Sequence, residues 1–313
     1  MTVTDAAPKP PAPVRRKGDV AFSGLARAAG IAILVALAGV AIFLTVEGLP
    51  ALTAGPAALG GKEGITLYVW PLLFGTLLAA TLAMIIATPL AIGVALVISH
   101  YAPRRLSKTL GYLIDLLAAV PSVVYGLWGI DFLGRRIGGL YGWLADNLGF
   151  LPFFAGPAST TGRTILTASL VLAVMALPII TAITREVFAQ TPTLHEEAAL
   201  ALGATRWEMI RMTVFPYARS GMISATMLGL GRALGETMAV AMVLSATGVI
   251  TFNLISTTNP STIAANIALQ FGEASGLKVN VLIFSGLVLF VVTFAVNFLG
   301  RAIAGRGVQG GER

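Results

Sequence analysis

Six runs of apolar residues, near positions 25–49, 72–99, 110–133, 165–184, 221–245 and 279–303, punctuate the 313 residues. Each is close to the roughly 20 residues of helix that cross a bilayer core. In lipid a chain must satisfy its own backbone hydrogen bonds, so runs of this kind fold as helices packed on one another. The expected fold class is an all-α polytopic membrane protein of about six transmembrane helices. Only 11% of the residues are charged, against roughly 25% in soluble domains, too few to cover a water-facing surface. The first run exceeds the roughly 7–15 apolar residues of a cleaved signal peptide and reads as a retained helix. There is no cysteine, which excludes disulfides, thiolate metal sites and cysteine nucleophiles.

Lysine and arginine mark the sides. Fifteen of the 21 fall in the tails and in alternate connections, five in the other connections, and Arg232 inside a run. Basic connections stay in the cytoplasm, so both termini are expected there. The +7 net charge is thereby a topology signal, and no nucleic acid is needed to explain it. Residues 1–22, Pro/Ala-rich and basic, read as a disordered cytoplasmic tail near anionic membrane lipid. Residues 23–71 hold the first helix and an external segment, 72–303 the core, and 304–313 a second loose tail. "GLYGWLADNLGFLPFF" after the third run suits a short helix in the membrane interface or packed on neighbouring spans. Pro89, Pro121 and Pro178 lie inside runs, where they bend helices for packing or for movement.

The connection at about 191–216, "TPTLHEEAALALGATRWEMIRMTVFP", is unlike its surroundings. Thr193 with Glu196, and Thr205 with Glu208, each have the spacing of a capping box. Gly203 sits where a first short helix should stop, and Pro216 where a second should. Trp207, Ile210 and Val214 share one face of that second helix, with Glu208 and Arg211 on another. Isolated helices this short are marginal in water, so a docked helix–turn–helix is expected, although an amphipathic helix could also lie on the bilayer.

"EAALALGATRWEMIRMTVFP" resembles the EAA signature of ABC-importer permeases, with Glu197, Ala198, Ala199, Gly203 and Pro216 at family spacing. Thr213 and Phe215 stand where isoleucine and leucine are usual. The resemblance implies a type I ABC importer permease (MetI-like) fold in the plasma (inner) membrane, with this loop docking in a cytoplasmic ATPase. The phosphate loop of an ATPase is itself missing: "GPAALGGKEG" has an extra glycine and places Glu63 after Lys62. ATP and Mg are therefore expected on partner chains, with no cofactor bound by this one and no enzymatic activity.

Arg232 and Glu236, four apart in the fifth run, should share a helix face. Arg232 lies roughly 16 Å deep, counting 1.5 Å per residue from Gly221. Intramembrane charges cost about 2.5–3.5 kcal/mol each on insertion scales and usually face a pathway or a partner. Arg232 can offer a planar fork to an oxyanion, with Glu236 neutralising it between visits. A structural ion pair locking helices is the alternative. Gly229, Gly231 and Gly235 beside them suit close helix approach, within the chain or against a second permease.

"GRALGETMAV" and "DLLAAVPSVVYGLWG" are similar to the permeases of phosphate-specific ABC importers, PstC type, over about 72–300. The likeness implies a homologous second permease (PstA type), two cytoplasmic ATP-binding subunits and an extracytoplasmic phosphate-binding protein. Arg232 and Glu236 take the family's intramembrane charged positions. Asp115 either joins the translocation path or pairs with a neighbouring base, and Asp131 lies beside the same run. Three other functions stay open from the residues: a permease for sulfate or molybdate, an ion-coupled secondary transporter, and an intramembrane enzyme. The last has little to work with, since His100 and His195 are the sole histidines and neither HExxH nor GxSxG occurs.

Overall fold

A computed structural model describes residues 17–308. The predicted tails at 1–16 and 309–313 lie outside the described residues. Residues 17–22, expected loose, already belong to helix α1 (Lys17–Gly48), and residues 304–308 continue α12 (Leu277–Val308).

The centre of the molecule is a pair of helices, α2 (Ile65–Leu96) and α6 (Ile165–Ala189). Along α2, Ala79, Ala83, Ala87, Ala91 and Ala95 are fully buried. Their spacing of four is the ridge by which helices interdigitate, and a ridge of alanines lets the backbones come close. Met175, Ala176 and Ile180 of α6 fill the facing groove, and the Thr181 hydroxyl donates to the Ala91 carbonyl at 3.3 Å. Two-thirds of the most apolar window of α6 is buried (67%), whereas in α1 none is. Helix α1 rests on α12 along the outside and leaves its apolar side chains uncovered.

Two of the six expected spans are broken. The third divides into α3 (Arg104–Ala118) and a helical stretch of α4 (Ser122–Trp128), a wide π turn and α5 (Arg135–Leu148), bent by 92°. Pro121 causes the break: its ring and missing N–H exclude it from a helix interior, and its backbone is extended (φ −60°, ψ 141°). The Tyr125 hydroxyl then donates to the Leu117 carbonyl at 2.8 Å, recovering an acceptor the break exposes. The fifth divides after α9 (Phe215–Gly235), and resumes as the short α10 (Met238–Val243). Among the described residues, four helices are long and apolar enough to cross a membrane, five if the bent pair counts as one. The contacts of the connections group at two ends. The 97–104 turn meets the 191–206 loop at one end (Arg206 to the His100 carbonyl, 3.5 Å), while Lys62 and Arg163 reach the Gly248 and Met242 carbonyls at the other.

Beyond α10, residues 244–262 run without helix and lead into α11 (Ile263–Gln270), which packs inside against α2. Asn259, fully buried, holds this segment. Its side-chain oxygen accepts from Ile165 N–H, and its amide donates to the Arg163 and Ser245 carbonyls. In α5 the packing reading holds. Tyr141 is buried and hydrogen-bonded to Thr167 at 2.6 Å, while Trp143 stays exposed.

Candidate functional site

The loop expected to dock folds as a helix, a glycine turn and a second helix. The first, α7 (Thr193–Ala201), ends at Gly203, whose φ of +88° only glycine adopts without strain. Gly203 N–H donates to the Leu200 carbonyl and Ala204 N–H to the Ala199 carbonyl, the paired bonds that close a helix C-terminus. The second, α8 (Arg206–Met209), starts with the expected capping box: the Thr205 oxygen accepts from Glu208 N–H, and the Glu208 carboxylate accepts from Thr205 N–H at 2.8 Å. These bonds from Thr205 hold the Glu208 carboxyl below its ordinary range.

Three details differ from the sequence reading. Thr193 does not cap α7; Pro192 occupies the N-cap and Glu196 bonds elsewhere. Pro216 does not end the second helix. A π turn over Ile210–Val214 widens the backbone just ahead of it, so the proline's missing donor is accommodated and the helix runs on into α9. The same turn shifts the face: Ile210 and Val214 are fully buried, but Trp207 is half exposed and meets Phe215 edge-on.

The loop has a small core of its own. Ala199, Met209, Ile210 and Val214 pack with Ala95 and Leu96 at the end of α2 and Phe188 at the end of α6. Above that core Glu197, Ala198, Gly203 and Pro216 are exposed, with Leu194 and Leu202 uncovered beside them. Docking is thus half satisfied within the chain, and the outer crest is left free for another surface.

Arg232 and Glu236 do not pair. Helix α9 stops at Gly235, Glu236 is extended (ψ 127°), and its Oε1 accepts from the Ala239 N–H at 3.1 Å. The carboxylate is buried and serves as the cap of the resumed helix. Arg232, partly buried, lines a cavity of about 1290 Å³ between α1, α6, α9 and α12, together with Ser224, Asn297 and Arg301. Of the three glycines, Gly229 presses on Ile180 of α6, where a Cβ would come within 2.7 Å, whereas nothing lies within 4 Å of Gly231 or Gly235. The close approach is internal at Gly229, and open at the other two.

Asp115 faces Arg185 of α6 at 3.4 Å, the neighbouring-base alternative. Arg185 lies over Gly111, one turn away. Asp131 bonds Arg135 at 2.7 Å in the open.

Residues 87–306 match the model of the family described as "Binding-protein-dependent transport system inner membrane component". The chain belongs to this family. Its membrane component character agrees with the apolar helices described above. A relative from Mycobacterium tuberculosis, named "Phosphate transport system permease protein PstC 2", is 47% identical over 94% of each chain. One from Mesorhizobium japonicum, named "Phosphate transport system permease protein PstC", is 39% identical over 90% of this chain and 89% of its own. Among solved structures, a bacterial alginate ABC transporter in complex with a pentasaccharide-bound periplasmic protein aligns with a TM-score of 0.63. It covers 93% of this chain and 96% of its own at 16% identity, a likeness of fold. The chain is therefore a multi-pass inner-membrane component of a binding-protein-dependent transport system, a transport subunit.

The sequence reading missed two groups. His100, whose side chain is only 10% exposed, meets Glu196 across the loop, and Asn259 holds the far end. No local pattern marks either, because His100 meets Glu196 and Asn259 meets Arg163 and Ile165, all some 95 positions away.

Proposed function

We propose that this chain is one permease of an ATP-driven phosphate importer, working with a PstA-type second permease, two ATP-binding subunits and an extracytoplasmic phosphate-binding protein. The single observation that carries the coupling role is the loop at 191–216. Its buried side joins the ends of α2, α6 and α9 into one cluster, and its exposed crest holds Glu197, Ala198 and Gly203. A body pushing on that crest would move three helices together. Both termini and the loop face the cytoplasm in this reading, in line with the basic residues gathered at that end. ATP and Mg reside on the partner subunits, whose closure moves the crest.

Arg232 is the cationic wall of the path, offsetting part of the dehydration of a crossing oxyanion without any bond being made or broken. Glu236 shapes the path by capping α10 instead of neutralising Arg232. The open face at Gly231 and Gly235 suits the approach of the second permease, and Asp115 is assigned to the α3–α6 contact. Phosphate is favoured as cargo by the names of the relatives, and the test is direct. In proteoliposomes carrying the full complex, uptake of labelled phosphate should require ATP and resist excess sulfate and molybdate. Competition by either would reassign the cargo, and uptake driven by an ion gradient without ATP would overturn the ABC reading.

A further inference from the structure

The coupling loop is connected to the membrane helices by its own chain through α6 and α9; α2, the helix at the centre of the bundle, has no covalent link to it. Beside the apolar cluster, polar contacts centred on one residue, His100, join the two. At the end of α2 the helix widens into a π turn, Val97–Tyr101, which turns His100 toward the loop. His100 Nε2 lies 3.5 Å from Glu196 Oε1 on α7, the ring meets Phe188 of α6 edge-on at 5.9 Å, and Arg206 of α8 reaches the His100 carbonyl at 3.5 Å. The histidine side chain is 10% exposed and that of Glu196 22%. One residue thus touches all three elements that meet beneath the crest.

Glu196 and Glu197 divide the work by helix geometry. Adjacent residues on a helix point about 100° apart, so the exposed Glu197 looks outward while Glu196 looks in toward α2. The buried His100 Nδ1 has no protein partner among the described residues. The polar contact of the ring is thus the one to Glu196, and a displacement of α7 is felt directly at His100.

We infer that His100 and Glu196 form a latch that transmits the movement of the coupling loop to α2, making both positioning residues for transport. This rests on reading the loop as the ATPase-docking element. Losing either partner should uncouple, not unfold, because every residue of the apolar cluster beneath the loop is kept. A tenfold change in a coupled equilibrium corresponds to about 1.4 kcal/mol, within the usual range of coupling between two sites.

The test uses the complete complex in proteoliposomes, with His100→Ala, Glu196→Ala, the double variant and His100→Gln. The latch predicts that phosphate taken up per ATP hydrolysed falls about tenfold in each single alanine variant. The double variant should be no worse than either, and His100→Gln, which keeps a donor, should recover part of the ratio. An unchanged ratio in both singles, or losses that multiply in the double, would overturn it. Amide exchange on the same complexes serves whatever the cargo proves to be. His100→Ala should speed exchange across 193–201 while leaving ATPase binding intact, and unchanged exchange there contradicts the latch. Wild-type complex that hydrolyses ATP but takes up no phosphate would count against the cargo alone.

Discussion

The coupling loop and the break between α9 and α10 are both places where a helix stops and restarts, yet they are built by opposite means. In the loop, each end is finished by local chemistry in water: Gly203 with its left-handed turn, and Thr205 with Glu208. At the break, one buried carboxylate does the capping inside an apolar run, and Glu236 holds Ala239 N–H where no water would replace it. Exposed caps are individually modest and redundant. A buried cap has no substitute, because an unsatisfied donor in an apolar setting costs roughly 1–3 kcal/mol.

The contrast can be broken first at the path itself. Arg232→Ala should cut phosphate uptake by about 100-fold, following the ~3 kcal/mol upper range of a charged hydrogen bond, with the complex still assembled. Lysine there should restore only part, since it lacks the fork. Next, Glu236→Ala should lower thermal stability by about 1–3 kcal/mol, whereas Glu236→Gln, which keeps an acceptor oxygen, should stay near wild type in stability. Equal losses in both would mean that charge, not capping, matters at that position. In the loop, Gly203→Ala should cost about 1–2 kcal/mol of backbone strain, with no clash because nothing lies within 4 Å of its Cβ. ATP-coupled uptake is its readout.

The smallest effect is in pH. The folded Glu208 carboxyl sits below its unfolded value because Thr205 donates to its charged form. Its contribution is therefore present above the unfolded pKa and lost as pH falls through the folded one. Amide exchange at 205–208 should accelerate only in acid below the ordinary carboxylate range, and Thr205→Ala, which removes the hydroxyl donor but keeps the backbone N–H, should weaken that dependence without abolishing it. Exchange that accelerates near neutrality would point to a different group.

What could be read in the sequence follows the same division. The all-α class and the loop's turn chemistry were legible, because hydropathy and capping act over a few residues. The breaks were not. Apolar residues continue straight through 110–133 and 221–245, and hydropathy does not register whether the backbone inside is helical. Pro121 was visible as a bend but not as a 92° turn, since its outcome depends on Tyr125 recovering the Leu117 carbonyl. Arg232 and Glu236, four apart, looked like a pair only on the assumption of an unbroken helix. Trp207 was placed on the buried face because a 3.6-residue period was carried through a π turn that Pro216 imposes. His100 and Asn259 were invisible for a different reason: their partners are fixed by how distant helices pack.

The central claim is that the crest of the 191–216 loop seats in a nucleotide-driven partner. The chain has no cysteine, so Ala198→Cys places a single thiol on that crest. Crosslinking it in the assembled complex should capture an ATP-binding subunit, with a yield that changes when ATP is added. Capture of the extracytoplasmic binding protein instead, or no protein at all, would contradict the account.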